Sequence, residues 1–421
     1  GEQRLTSRKL EGAYPTYNQL IPKSFDRINP YDLGKRLKQA REQRGMTQEA
    51  AAKIIEVART TLVAIEKGER RLKSSELVNL ARAYGKSVRD FLVLTPPIES
   101  FEVQFRSASR RGEAEKTEVQ SVILRFQEFC QNYLELEELI KSPLPRNYPP
   151  EYHLDDTFPI NIIAESIANA ERQRLGLGDK PISLLRDILE QEVGIRIFYL
   201  PMPSQSKCSE MYSYNETIGA CIAINANHPR ERQLWSLAHG YLHFLAHRYQ
   251  PVIDYLDEYQ RMPKSEQLAE AFPKYFLMPT SSLLKRYNDI KQSQGKFTPT
   301  HLITLAHYYG VSIQALCYRL EEMQLLPSDT YNRLKDSRFK IREAQQELGL
   351  ENNPNKSYDL TPTHYQHLAI EAYNRELITE GAFAHFLGVD RLEARRLAEI
   401  LREPSQELTE DYRDIDLTKI K

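Results

Sequence analysis

The chain has 421 residues, with 57 Lys plus Arg against 58 Asp plus Glu, a formal net charge of -1 and 41% hydrophobic residues. At roughly 100–200 residues per domain this length predicts two to four domains, and the near-neutral charge excludes a polycationic tail or an acidic solvating segment, so any nucleic-acid surface must be local. No run of about 18 apolar residues is present, and Arg4, Arg8, Lys9 and Glu11 interrupt any secretory apolar core near the start. A membrane protein is therefore excluded and a cytoplasmic location expected. The four cysteines, Cys130, Cys208, Cys221 and Cys317, contain no CxxC pair. They write neither a disulfide framework nor a zinc ribbon and fit a reducing compartment.

Residues 1–29 show no periodicity and read as an arm or linker. From Tyr31 the pattern changes to five short amphipathic helices within 30–95. Residues 96–159 read as a connector: a helix over 117–141 with an apolar stripe suited to packing against a second subunit, then a proline-rich boundary. Residues 160–290 combine helices with three β-rich runs, GIRIFYLPM, CSEMYSYN and IGACIAINAN, and a polar loop follows the helix LWSLAHGYLHFLAHR. Residues 291–402 are helical, interrupted by a linker at 351–362, and 403–421 form a charged tail. The expected fold class is multidomain: an all-α N-terminal domain, an α+β central domain and an α-helical C-terminal extension.

Residues 31–95 carry 14 Lys plus Arg against 8 Asp plus Glu, a local balance of +6 in a chain that is otherwise acidic. Within them Thr47 is placed to cap a helix, Ala52 allows close helix approach, and Val57 and Ile65 point inward. Arg59, Thr60 and Thr61 begin a second helix, where side chains would reach base edges, while Gln48 and Arg70 could bond a phosphate or a base. The segment MTQEAAAKIIEVARTTLVAIEKGERR resembles the XRE/Cro-repressor family of helix-turn-helix proteins. The resemblance implies double-stranded operator DNA as partner and a homodimer on paired half-sites. Glu56 stands at the turn where that family often has glycine. The pattern Thr47, Ala52, Val57 is echoed at Thr379, Ala384, Gly388 and Val389, and more weakly at Ala306, Gly310 and Val311. A common solution to packing two helices at a tight turn explains such echoes as well as a true repeat does.

His239 and His243, four apart on one helix, leave the same face and can take two corners of a tetrahedral zinc. His247 rises ~12 Å along the helix from His239 and cannot share that ion. Glu266 on the next helical segment offers a third ligand, and Glu270 follows at a spacing suited to orienting a ligand histidine. The stretches LWSLAHGYLHFLAHR and EQLAEAFPKYFLMP resemble the ImmA/IrrE-type zinc metallopeptidases. The resemblance implies Glu266 as third ligand, bound Zn2+ and a repressor-type protein as substrate. It breaks at one position: the family writes H-E-x-x-H, and Gly240 here replaces the general-base glutamate. Glycine cannot shuttle a proton, so the scaffold is expected to be inactive or very weak. The sequence therefore reads as a DNA-binding transcription regulator whose peptidase-like domain senses a small-molecule effector or binds a partner. The alternative is a zinc endopeptidase of which this chain is an inactivated variant.

Overall fold

The computed structural model describes residues 28–92, 100–108, 113–255, 262–337, 339–350 and 360–401. The expected arm, the linker at 351–362 and the charged tail lie largely or wholly outside the described residues. The chain divides into two compact units, 1–98 and 99–421.

Among the described residues the first unit holds five helices: α1 (Pro30–Gln43), α2 (Gln48–Ile54), α3 (Arg59–Glu66), α4 (Ser74–Tyr84) and α5 (Val88–Phe91). Their ends are set by local chemistry. Asn29 accepts from the Tyr31 amide at 2.9 Å before Pro30, and the Thr47 hydroxyl accepts from the Ala50 amide at 3.2 Å. Gly34 lets α1 lie against α3, since a Cβ there would come within 2.5 Å of the Ile65 carbonyl oxygen. Leu37, Ala51, Leu62, Ile65, Leu77 and Leu80 fill the core, with Val57 only partly buried at its edge.

The turn between α2 and α3 is closed by the Val57 amide donating to the Ala52 carbonyl at 3.0 Å, which forces Glu56 to φ 55°. A left-handed conformation costs an L-residue roughly 1–2 kcal/mol, part of which glycine gives back through its floppier unfolded state. Glu56→Gly is therefore expected to stabilise the first unit by up to about 1 kcal/mol. Hydrogen exchange of the α2 and α3 amides reads this directly, and a loss of protection would show that the exposed Glu56 side chain contributes more than its backbone strain costs.

The second unit continues with α6 (Phe101–Ala108), α7 (Glu113–Ile140), α8 (Ile160–Arg174) and α9 (Leu185–Ile188), the last running into a π-helical turn at Leu189–Val193. Strands β1 (Arg196–Leu200), β2 (Cys208–Asn215) and β3 (Gly219–Asn225) precede α10 (Arg230–Ala246), and β4 (Val252–Tyr255) precedes α11 (Lys264–Leu277). Helices α12 (Thr280–Gln294), α13 (Pro299–Tyr309), α14 (Ile313–Glu322), α15 (Thr330–Asp336), α16 (Ile341–Glu347), α17 (Thr363–Asn374), α18 (Glu380–Leu387) and α19 (Arg391–Leu401) complete it.

The sheet order is β1-β3-β2-β4, with β1 parallel to β3 and the other pairs antiparallel. One face, carrying Ile195, Ile197, Tyr212, Ile222 and Ile224, packs on Leu237, Ala238, Tyr241 and Leu242 of α10. The other face presents Phe198, whose ring lies 5.2 Å from Phe129, 6.2 Å from Tyr133 and 5.7 Å from Tyr365, centroid to centroid. The alternation of strand side chains thus places α10 and α7 on opposite faces.

Two expectations are corrected here. The apolar stripe of α7, through Val119, Val122, Phe126, Tyr133 and Leu136, is buried within this same chain, where Arg196 pairs with Glu137 at 2.7 Å, and so is not a free subunit-packing surface. The stretch read as a polar loop after α10 contains β4, whose four residues are too few to show a period of two.

The echo at α18 and α19 extends to geometry. Thr379 accepts from the Ala382 amide at 3.2 Å, Gly388 takes φ 67°, and Val389 donates to Ala384 at 3.1 Å. Ala394, Leu397 and Ala398 are buried where Leu62, Ile65 and Glu66 are buried in α3. At Ala306, Gly310 and Val311 the turn is repeated, with a 3.0 Å bond, and Leu316, Arg319 and Leu320 are buried at the corresponding positions of the following helix, while His301 stands where the other two copies have the capping threonine. Gly388 has a reason to be glycine that Glu56 lacks: a Cβ at 388 would lie 3.0 Å from Phe129 Cζ.

Candidate functional site

In the first unit, Arg59 and Thr60 are exposed at the start of α3 and Thr61 is half-buried beside them. Behind them runs a chain of polar contacts. Arg41 donates through Nε to Glu66 Oε1 at 2.6 Å and through NH2 to Oε2 at 3.1 Å. Gln48 donates to the same Oε2 at 3.1 Å, and Arg59 donates to Gln48 Oε1 at 3.4 Å. Gln48 is thus held between a buried ion pair and the exposed helix start. Arg70 lies elsewhere: both of its terminal nitrogens are taken by Glu76, at 3.0 and 3.1 Å. Its guanidinium is held by that carboxylate, with the side chain 31% exposed.

In the second unit, α10 carries His239 and His243 on one face, and their rings lie 4.9 Å apart. Helix α11 brings Glu266 to both. Its Oε2 is 3.5 Å from His239 Nε2 and its Oε1 is 3.6 Å from His243 Nε2. Those separations are long for hydrogen bonds, but ligand atoms each about 2.0–2.1 Å from one tetrahedral ion are about 3.4 Å apart. His239 Nε2, both nitrogens of His243 and Glu266 Oε2 are buried with no hydrogen-bond partner. Buried polar atoms left unpaired are costly, and here Glu266 faces the Nε2 atom of each imidazole at about the separation two ligands of one ion would have, so the residues present fit a zinc ion. His247 caps the same helix with its ring 5.5 Å from that of His243, and burial takes its pKa down to about 4.

Two further carboxylates complete the site, and the sequence pattern singles out neither. Glu210 of β2 accepts from His239 Nδ1 at 2.5 Å, and its cross-strand partner on β4 is Asp254. His239, Asp254 and Glu270 bring ligand-type atoms within 4.8 Å of one another, as do Glu210, His239 and His243. The carboxylate facing His239 Nδ1 is therefore Glu210. Glu270, expected there, instead places Oε1 3.8 Å from Nε2, on the other side of the ring, and is exposed. The one available signal is a lone acid within the apolar run CSEMYSYN.

The charges follow from this crowding. Burial pushes Glu210 up to about 7, opposed by the His239 imidazole. Burial works against a charged His239, but the Glu210 carboxylate overcomes it and raises His239 well above the usual imidazole range. Burial lowers His243, having no carboxylate on Nδ1 to offset it. Burial would raise Glu266, yet the two imidazoles hold it well below the usual carboxylate range.

A basic helical module and an α+β domain with two helix-borne imidazoles facing a carboxylate define a regulator-like chain with a metallopeptidase-type fold. Residues 37–91 match the helix-turn-helix family, and residues 190–321 match the IrrE N-terminal-like domain of the M78 peptidases. The chain joins an XRE-type helix-turn-helix domain to an IrrE/ImmA-like M78 domain. Separately, a 27-residue stretch is 78% identical to part of the beta sliding clamp of Synechocystis sp., covering 6% of this chain and 7% of that protein. The crystal structure of Bacillus thuringiensis PlcR in complex with the peptide PapR7 and DNA aligns over 88% of this chain and 94% of its own, at 12% identity and a TM-score of 0.15. Neither likeness bears on the function. Among the described residues, no helix is long and apolar enough to cross a membrane.

Proposed function

We propose that this chain is a DNA-binding transcription regulator whose M78 domain holds Zn2+ through His239, His243 and Glu266 and uses it for sensing or interaction, without peptide hydrolysis. The observation that carries this reading is that Glu266 faces the buried, unpartnered Nε2 atoms of His239 and His243, at 3.5 and 3.6 Å, beside a helix position, 240, that has no side chain. A bound zinc in such a site supplies Lewis acidity and acidifies a bound water. His239 and His243 hold the metal from α10, Glu266 closes it from α11, and Glu210 keeps the His239 ring oriented. No group at 240 accepts the proton that peptide hydrolysis must move. A general base contributes roughly 10²–10⁴-fold, so that much of the rate is forfeited.

Incubating the zinc-loaded chain with a repressor-type protein tests this, with no cleavage expected; turnover at a rate usual for zinc peptidases would overturn it. The retained ligand set favours a second reading, that of an inactivated zinc endopeptidase, which product formation by a Gly240→Glu variant alone would support and its absence in both chains would count against.

On the DNA side the chain is proposed to bind an operator as a homodimer, with Arg59 and Thr60 reading bases and Gln48 and Thr61 supporting them. Arg59→Ala with Thr60→Ala is expected to lose sequence preference, at about 1–3 kcal/mol for each base contact removed, while nonspecific binding persists at low salt. Fluorescence anisotropy on the operator and on a scrambled duplex measures both. Unchanged selectivity would refute α3 as the reading helix.

A further inference from the structure

Residue 240 lies on the side of α10 that meets the sheet. A Cβ at Gly240 would sit 3.3 and 3.4 Å from the two carboxylate oxygens of Glu210 and 3.4 Å from Ile222 Cδ1. The carboxylate has little freedom to retreat. It is fully buried, one oxygen is fixed on His239 Nδ1 at 2.5 Å, and its strand is irregular at this point, where Cys208 and Glu210 pair with the consecutive residues Tyr255 and Asp254. Such a bulge inserts one extra residue, here Ser209, and re-aims the side chain beside it.

We propose that Glu210 is the positioning residue of His239, and that position 240 is glycine because this carboxylate fills the space a side chain would need. By accepting the Nδ1 proton, Glu210 fixes the tautomer whose Nε2 lone pair faces Glu266 and a metal. The absent base and the acid on β2 are then a single arrangement. A Gly240→Glu substitution alone would drive a second side chain into the space that Glu210 fills.

The positioning role rests on the zinc reading above, whereas the occupied space does not, and the test separates them. Zinc affinity of the full chain, measured by competition with a chromophoric chelator, is expected to fall 10–100-fold in Glu210→Ala. Glu210→Gln, which keeps an acceptor for Nδ1–H, is expected to recover much of that loss. Wild-type affinity in Glu210→Ala overturns the positioning role alone; no zinc uptake by the unaltered chain overturns the zinc reading and the positioning role together.

The second measurement uses zinc-free protein. Gly240→Ala is expected to lower the melting temperature of the second unit despite alanine's better helix propensity, and to raise it in the Glu210→Ala background. A rise in both backgrounds overturns the claim that Glu210 holds the room at 240.

Discussion

His243→Ala is expected to abolish zinc uptake at micromolar metal. Both ring nitrogens of His243 are buried without partners, so the imidazole contributes nothing to the metal-free fold that a hydrogen bond would explain. Zinc binding by four-ligand peptides is worth about 10–16 kcal/mol, and removing one ligand forfeits roughly a quarter to a third of that, or about 3–5 kcal/mol. A thousandfold weakening is about 4 kcal/mol. In thermal unfolding, free zinc at a hundred times its Kd stabilises the unaltered chain by about 2.7 kcal/mol, and the variant should gain nothing at that concentration. His247→Ala supplies the control. It lies on the same helix with a buried unpartnered Nδ1, but it is too far along the axis to share an ion with His239, so it should bind zinc as the unaltered chain does. Equal loss in both variants would mean that a general loosening of α10, rather than ligation, controls uptake.

The residues that hold the proposed metal were legible because helical spacing alone brings His239 and His243 to one face, and because Glu266 falls on the next apolar-periodic helix. The acids on the sheet were not. Glu210 reaches His239 through the pairing of β2 with β4, which local sequence does not encode, and its aim depends on an irregularity between Cys208 and Glu210. Without that, Glu270 was the only visible candidate for the same role, and its four-residue spacing from Glu266 instead leaves it on the other side of the ring. The helix-turn-helix was read almost whole, since caps, small residues and turns are local signals. The fate of Arg70 was hidden for a similar reason: Glu76 also caps α4 by accepting from the Lys73 amide at 2.8 Å, and only the folded turn shows that the same carboxylate captures the guanidinium. For α7 the amphipathic stripe was clear, but periodicity states that a face is covered and not by what.

Arg41→Met is expected to cost the first unit about 3–5 kcal/mol, the usual consequence of leaving a buried charge without its partner. The side chains of Arg41 and Glu66 are only 8% and 2% exposed, and the pair is bidentate, at 2.6 and 3.1 Å, with a third Arg41 bond to the Met46 carbonyl at 2.9 Å. In the variant Glu66 keeps only the Gln48 amide, a neutral donor. A domain of this size is marginal to begin with, so a loss of that magnitude removes most of its stability and DNA binding with it. The second unit is compact by itself, and its zinc uptake should be unchanged. Adding Glu66→Leu removes the stranded charge and should restore folding, because well-packed apolar replacements of buried ion pairs are often neutral or stabilising. Selectivity should not return with it: Gln48 loses its anchor on Glu66, and Arg59, bonded to Gln48 Oε1, loses the contact that aims it. Chemical denaturation, zinc competition and operator anisotropy on the single and double variants separate these effects. A cost below about 1 kcal/mol for Arg41→Met would place the pair among exposed ion pairs and remove it as the support of the reading helix.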